Sequence, residues 1–460
     1  MTNPRQAARE YARQHQQEFL DRLKEFVSIA SVSTDPDARP EIQRAAEWVA
    51  TRLKALGVEN VAILPTDGHP VVVGEWRALS AVEGQAKPTM LVYGHYDVQP
   101  ADPLELWQSA PFEPTVRGEN LYGRGASDMK GQVMAVLNAL EAVSETGSLP
   151  INVKFLIEGE EEIGSPSLAK FIEQNRGLLK ADFCLNPDSG MLGKQYPTIT
   201  FGLRGLAAFE LRVSGPAGDL HSGVFGGVVH NPAVALAELL AGMHDANGRV
   251  TLPGFYDDVP ALTEAEHADF ARLPTNEAYY LEQTGVPALW GEAEFLPDER
   301  VGARPTLEVN GMLSGFTGAG FKTVLPAQAM AKISCRLVPR QDPAKVAAGL
   351  RQYLEQNAPQ TIRWELIEMG GAPASISDVN QPGVKALEKA LETVWGVKPF
   401  FKREGGSVPV VAQMQSILGI ESVITGFGLP DDNLHAPNEK LHLPTWYKGI
   451  EALVEFLFNL

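Results

Sequence analysis

Cysteine is nearly absent from this chain: two in 460 residues, Cys184 and Cys335. Both lie in apolar runs, "ADFCLN" and "KISCRLV". Reduced thiols in the core are therefore expected, rather than a disulfide or a cysteine-based metal site. Excess positive charge is missing too. Lys and Arg number 39 against 57 Asp and Glu, and the net charge is −18. Phosphates need a basic face, so nucleic acid is excluded as a partner. No apolar run approaches the roughly 18 residues of a membrane span, and no membrane partner is expected. The opening stretch "MTNPRQAAREYARQHQQEFLDRL" lacks the apolar core of a secretory signal, so the reducing cytoplasm is the expected address. What remains is an ordinary globular composition, 44 % hydrophobic and 21 % charged. It is spread over a chain long enough for two or three structural units.

The hydrophobic pattern divides the chain. Residues 5–30 predict an amphipathic helix with Phe19, Leu23, Phe26 and Val27 on one stripe, and "EIQRAAEWVATRLKALG" predicts another, capped by Gly57. Strand-like runs ("HPVVVGEW", "TMLVYGHYDV", "INVKFLIEGEEE", "ADFCLNPD") then alternate with helical ones ("MKGQVMAVLNALEAV", "PSLAKFIEQN"). Strands apolar on both faces indicate a sheet covered by helices on both sides. Near residue 198 the texture changes. "TITFGLRGLAAFELRVSG" and "AMAKISCRLVP" alternate as half-exposed antiparallel strands do; in the second, Met330, Lys332, Ser334 and Arg336 face one way and Ala331, Ile333, Cys335 and Leu337 the other. The helical "NPAVALAELLAGMH" and a Pro- and acid-rich tract, 253–300, lie between. From 380 the α/β texture returns. The expected fold is α/β: a mixed-sheet three-layer domain made of residues 1–199 and 376–460, with an α+β domain, an antiparallel sheet plus helices, inserted at 200–375.

In such sheets ligands gather at the carboxyl ends of strands, and five strand-end loops here each deliver a His or a carboxylate. "GHYDVQP" offers His95 and Asp97; "YGRGASDMKG" brings Asp128 to the start of a helix; "IEGEEEIGS" packs Glu158, Glu160, Glu161 and Glu162; "NPDSG" carries Asp188; "DDNLHAPNEKL" carries His435. Singly, each is an ordinary polar loop. "GRGASD" lacks the third glycine of a dinucleotide fingerprint. Jointly, two His and several acids on one rim suit a borderline divalent cation, Zn²⁺, with Mn²⁺ or Co²⁺ as rivals. Five protein ligands exceed the usual three of a single catalytic zinc, which favours two ions.

"GHYDVQP", "YGRGASDMKG", "EGEEEIGS", "DLHSGVFGG", "RLVP", "REGGSVPV" and "LHAPNEKL", in that order, resemble the dinuclear zinc metallopeptidases that include the carnosine dipeptidases, aminoacylase-1 and carboxypeptidase G. "DLHSG", "RLVP" and "REGGS" look most like the dipeptidase branch. The resemblance implies that His95 and Asp188 hold one metal ion, Glu162 and His435 the other, and that Asp128 bridges them. It makes Asp97 the residue that orients the His95 imidazole and Glu161 the general base. It implies a cis peptide after Asp128, and a lid and dimerisation role for the inserted domain. From that domain, His221 would reach the partner subunit's active site to stabilise the oxyanion, beside Thr323, and Arg336 would hold a substrate carboxylate, its pocket completed by Gly406 and Ser407 from the 376–460 segment. One departure stands: Met129 follows Asp128 where the dipeptidase branch usually has a second acid, a form found in the deacylase relatives.

The reading that follows is a cytosolic, homodimeric metallo-dipeptidase that acts on small peptides with two divalent ions per subunit. An N-acyl-amino-acid deacylase or metallocarboxypeptidase on the same machinery is the alternative. An inactive binding or scaffold protein would have lost a ligand or the base, and none is missing.

Overall fold

The structure is a computed structural model that describes residues 3–78, 87–406 and 408–460. Two compact units emerge: Met1–Phe201 with Ser377–Lys402 and Gln413–Leu460, and Gly202–Ile376 with Arg403–Ala412. The C-terminal stretch expected to belong wholly to the first domain is thus shared, since Arg403–Ala412 groups with the second unit.

The first unit is built on a mixed sheet. Seven of its nine described strands run in the order Glu59–Leu64, Val71–Trp76, Asn152–Glu158, Thr89–His95, Phe183–Asn186, Ser422–Ile424, Thr198–Leu203, and the last also pairs with Ser375–Ile376 and Phe400–Glu404. The four central strands, from Asn152–Glu158 to Ser422–Ile424, are parallel and the flanking pairings antiparallel. Met90, Leu91, Val92 and Tyr93 are all at most 1 % exposed. Successive side chains point to opposite faces, so both faces of the sheet are covered. The cover is helical. In Lys130–Thr146 every residue from Lys130 to Val143 is buried, and Leu443–Asn459 buries Trp446, Ile450 and Leu453 in the same core. The helix expected over 5–30 is two helices, Pro4–Gln14 and Gln16–Val27. His15 breaks it: its backbone leaves the helical region, while its ring stacks on Tyr11 at 3.8 Å and bonds the Tyr11 carbonyl at 2.9 Å. Phe19, Leu23, Phe26 and Val27 are buried, as their stripe predicts. A small antiparallel sheet of Lys440–His442, Asn120–Tyr122 and Thr115–Arg117 joins two distant loops of this unit.

The second unit holds a four-stranded antiparallel sheet in the order Thr306–Ser314, Gln328–Leu337, Gly205–Ser214, Arg363–Ala372. The alternation of Gln328–Leu337 is realised: Ala331, Ile333, Cys335 and Leu337 are at most 1 % exposed. That face packs on helices Pro232–Ala241 and Pro343–Asn357. The tract 253–300 contains two short helices, Glu264–Ala271 and Glu277–Thr284, and the start of a third, Pro297–Gly302. Their capping, such as the reciprocal Thr263–Glu266 box, offsets the low apolar content that hides them from a periodicity reading. Both cysteines are unpaired and buried.

Candidate metal centre

The parallel strands end on one rim, and the loops that leave them carry the acids and imidazoles. Thr89–His95 terminates in His95, and the chain then turns, pinned by a bond from Val98 N to the Ser31 carbonyl at 2.9 Å. Asp128 sits on the loop before helix Lys130–Thr146, followed by a cis peptide to Met129. The loop turns tightly at Gly125, with φ +82, where an added Cβ would lie 2.5 Å from Val98 Cγ1. Any larger residue is excluded there. Glu161 and Glu162 lie on one turn of 3₁₀ helix closed by Gly164 at φ +84. Asp188 follows strand Phe183–Asn186, its N–H bonded to Asn186 Oδ1 at 2.9 Å. His435 comes from the loop before Lys440–His442 and adopts a left-handed backbone, φ +58.

These residues converge. One ligand atom each from His95, Asp128 and Asp188 lie within 4.8 Å of one another, and so do atoms from Asp128, Glu162 and His435. Asp128 belongs to both groups and gives a different oxygen to each. Oδ1 is 3.3 Å from His95 Nε2, and Oδ2 is 2.9 Å from His435 Nε2. His435 Nε2 is also 3.3 Å from Glu162 Oε2. The His95 imidazole is oriented through Nδ1, which bonds the main-chain carbonyl of Asp97 at 3.0 Å; the Asp97 carboxylate lies farther, at 3.4 Å. That carboxylate instead accepts the N–H groups of Glu161, at 3.3 Å, and Glu162, at 3.1 Å. The steering expected of the Asp97 side chain is thus chiefly the work of its backbone, and the side chain holds the Glu161–Glu162 turn.

With Nδ1 donating to a carbonyl, Nε2 is the nitrogen of His95 left to bind a cation once it has lost its proton. That atom is buried and has no hydrogen-bond partner, an arrangement a cation satisfies. The electrostatics agree. Burial pushes the Asp188 and Glu161 carboxyls above the usual range, with neighbouring carboxylates adding to it. Burial opposes a charge on His95, but Asp128 and Asp97 outweigh it and raise its pKa. The bonds from Asp128 and Glu162 lift His435 to about 10. Burial disfavours the Asp128 charge as well, and the two imidazoles overcome it and hold that carboxyl low. Acids crowded in this way are what divalent cations relieve.

The remaining predicted residues belong to the second unit. His221 is exposed; its Nδ1 accepts the Gly223 N–H at 3.0 Å, and the Thr323 carbonyl accepts the Ser222 N–H at 3.0 Å. Arg336 is half-buried on the polar face of Gln328–Leu337, paired with Thr306 and Leu206 on the neighbouring strands. Gly406 is exposed, and Ser407 lies outside the described residues. The sequence reading also missed residues. Gln99 donates to Glu162 Oε2 at 2.8 Å. Glu439, fully buried, accepts the N–H groups of Ser127 and Asp128. Their sequence separations, 63 and more than 300 residues, left no local signal.

Comparison with known proteins agrees with this geometry. Residues 91–459 match the model of peptidase family M20/M25/M40. The chain is 34 % identical to a Candida albicans protein named Cys-Gly metallodipeptidase DUG1 over 462 residues, 95 % of this chain and 94 % of that one. Among solved structures, human carnosine dipeptidase 1 superposes with a TM-score of 0.82 at 30 % identity, covering 99 % of this chain and 98 % of that one. The metallo-carboxypeptidase Sso-CP2 from Sulfolobus solfataricus superposes with a TM-score of 0.85 at 37 % identity, covering 96 % and 98 %. Through this full-length likeness, the chain belongs to peptidase family M20/M25/M40.

Proposed function

We propose that the protein is a metal-dependent dipeptidase whose site is the His95, Asp128, Glu162, Asp188 and His435 cluster. The observation that carries this reading is Asp128, whose two oxygens face two different His-containing groups. With Glu161 included, the four carboxylates match the charge of two divalent cations, and two imidazoles among them suit zinc, with manganese or cobalt as alternatives. Bound there, such cations supply a water ionised near neutral pH and polarise the scissile carbonyl.

The chain's own residues do the rest. Glu161 takes the proton of the attacking water on a carboxylate oxygen and returns it to the leaving amine nitrogen, so water adds across the peptide bond. Arg336 holds the free C-terminal carboxylate through its guanidinium fork, a role that Gly406 and Ser407 share, and Thr323 accompanies His221. Because His221 Nδ1 accepts a hydrogen bond, its neutral ring carries the proton on Nε2. That donor suits a developing oxyanion. In a homodimer, His221 serves the other copy's site. Two unpaired thiols fit a reducing cytoplasm, and no helix among the described residues is long and apolar enough to cross a membrane.

The solved relative named a metallo-carboxypeptidase supports a second reading on the same site, in which longer peptides lose their C-terminal residue. A hydrolysis panel separates the two. It contains free dipeptides, N-acetylated dipeptides, C-terminal amides and tripeptides, with and without chelator. Chelator-sensitive cleavage confined to free dipeptides is the expected result. Cleavage of N-acetyl forms or of the C-terminal bond of tripeptides would move the protein to a deacylase or carboxypeptidase.

A further inference from the structure

Glu439 takes no part in the chemistry above, yet its carboxylate is among the most fully engaged in the first unit. It is 0 % exposed. Oε2 accepts from Arg124 Nη1 and from Gly125 N, both at 2.8 Å, and Oε1 accepts from Ser127 N at 2.9 Å and Asp128 N at 3.0 Å. Arg124 is 1 % exposed and donates through Nη2 to the carbonyls of Pro100 and Ala436, each at 3.2 Å. The Glu439 carbonyl accepts Gly123 N–H at 3.0 Å.

These bonds have a pattern. Asp128, whose N–H is held by Glu439, and His435, whose next residue is held by Arg124, are the two ends of the 2.9 Å contact between Asp128 Oδ2 and His435 Nε2. Pro100 lies on the loop that begins at His95 and Asp97. One ion pair therefore fastens all three loops that bring the His95, Asp128 and His435 side chains to the rim. A buried ion pair contributes little net stability, because the desolvation of two charges offsets their attraction. Its effect is the order it imposes on the groups it touches.

We propose that Arg124 and Glu439 are positioning residues for the metal centre, acting on Asp128 and His435 by fixing their backbones. The proposal rests on reading the cluster as a metal site. Ligands fixed before binding lose no order when a cation arrives, so loosening them weakens binding by about 10–100-fold, as changes behind a metal ligand commonly do.

The test is zinc binding to the metal-free full-length chain, read by competition with a chromophoric chelator. It compares wild type, Glu439→Gln and Arg124→Met. The glutamine keeps the volume but turns an NH₂ toward two N–H donors. The methionine leaves Glu439 only its backbone donors. Both variants should fold with native circular dichroism and bind zinc about 10–100-fold more weakly. Their cobalt-substituted forms should show an altered visible band, a readout that a purely structural role would not move. Wild-type affinity in folded variants that merely melt earlier would overturn the proposal. Failure of both variants to fold would also overturn it, since the pair would then be a folding element. A wild-type chain that binds no zinc would remove the metal reading itself, and the proposal with it.

Discussion

Asp97→Asn separates two accounts of the His-x-Asp pair. If the side chain steers the imidazole, the substitution should damage the group that contains His95. The geometry says otherwise, because His95 Nδ1 bonds the Asp97 carbonyl at 3.0 Å and any residue at 97 retains that bond. What the carboxylate alone supplies is acceptance of Glu161 N–H and Glu162 N–H, at 3.3 and 3.1 Å, from a fully buried position. Asparagine keeps one oxygen, so one bond survives without its charge and one buried N–H meets an NH₂ group. Losing charge assistance and stranding one donor costs about 2–4 kcal/mol in all. The loss falls on the turn that carries Glu161 and Glu162. In a two-step zinc titration, the affinity of the Asp128, Glu162 and His435 group should fall about 10–100-fold. That of the His95, Asp128 and Asp188 group should stay within a few-fold. Equal loss at both groups, or loss confined to the His95 group, would refute the backbone-steering argument.

Three further outcomes follow from the same geometry. Glu161→Gln should retain zinc while kcat falls roughly a hundred- to ten-thousandfold; retained turnover in metal-loaded variant would remove Glu161 from the mechanism. The surrounding acids raise the pKa of both His95 and His435, so each ring holds its proton more tightly than a free imidazole and must release it to ligate. Zinc binding should therefore release protons, measurable by calorimetry in buffers of different ionisation enthalpy, and weaken as pH falls. Affinity that is flat between about pH 6 and 8 would contradict this. Trp446 is fully buried and its Nε1 donates to the Gly131 carbonyl at 2.7 Å. Trp446→Ala should cost about 3–5 kcal/mol in urea denaturation, and Trp446→Phe only about 1 kcal/mol. Near-equal losses would mean that the hydrogen bond, not the buried volume, dominates.

The parallel core and its rim were legible because both follow from local pattern. Runs such as "TMLVYGHYDV" predict strands buried on both faces, and strand ends predict where ligands gather. His95, Asp128, Asp188, His435 and the acids of 158–162 were found in that way, and the resemblance singled out Glu162; His95, Asp128, Glu162, Asp188 and His435 lie together in the first unit. The roles of Arg336, His221 and Thr323 came only through resemblance. They lie in the second unit, and no spacing rule ties them to the cluster. Local pattern also fails where tertiary contacts decide. His15 separates two helices where the pattern predicts one, and its ring stacks on Tyr11 and bonds the Tyr11 carbonyl. The short helices of 253–300 are held by caps rather than by an apolar face. Glu439 reads as one more surface acid in "PNEKL", and only the fold brings four N–H donors to it.

The central claim is that one carboxylate, Asp128, serves two cation sites at once. Zinc titration of metal-free wild type and Asp128→Ala, followed by metal analysis and dipeptide hydrolysis on the same samples, tests it most directly. The account predicts two zinc ions per wild-type chain with chelator-sensitive hydrolysis, and loss of tight binding at both sites together with activity in the variant. One zinc retained at wild-type affinity in Asp128→Ala, or hydrolysis that survives removal of all metal from wild type, would contradict it.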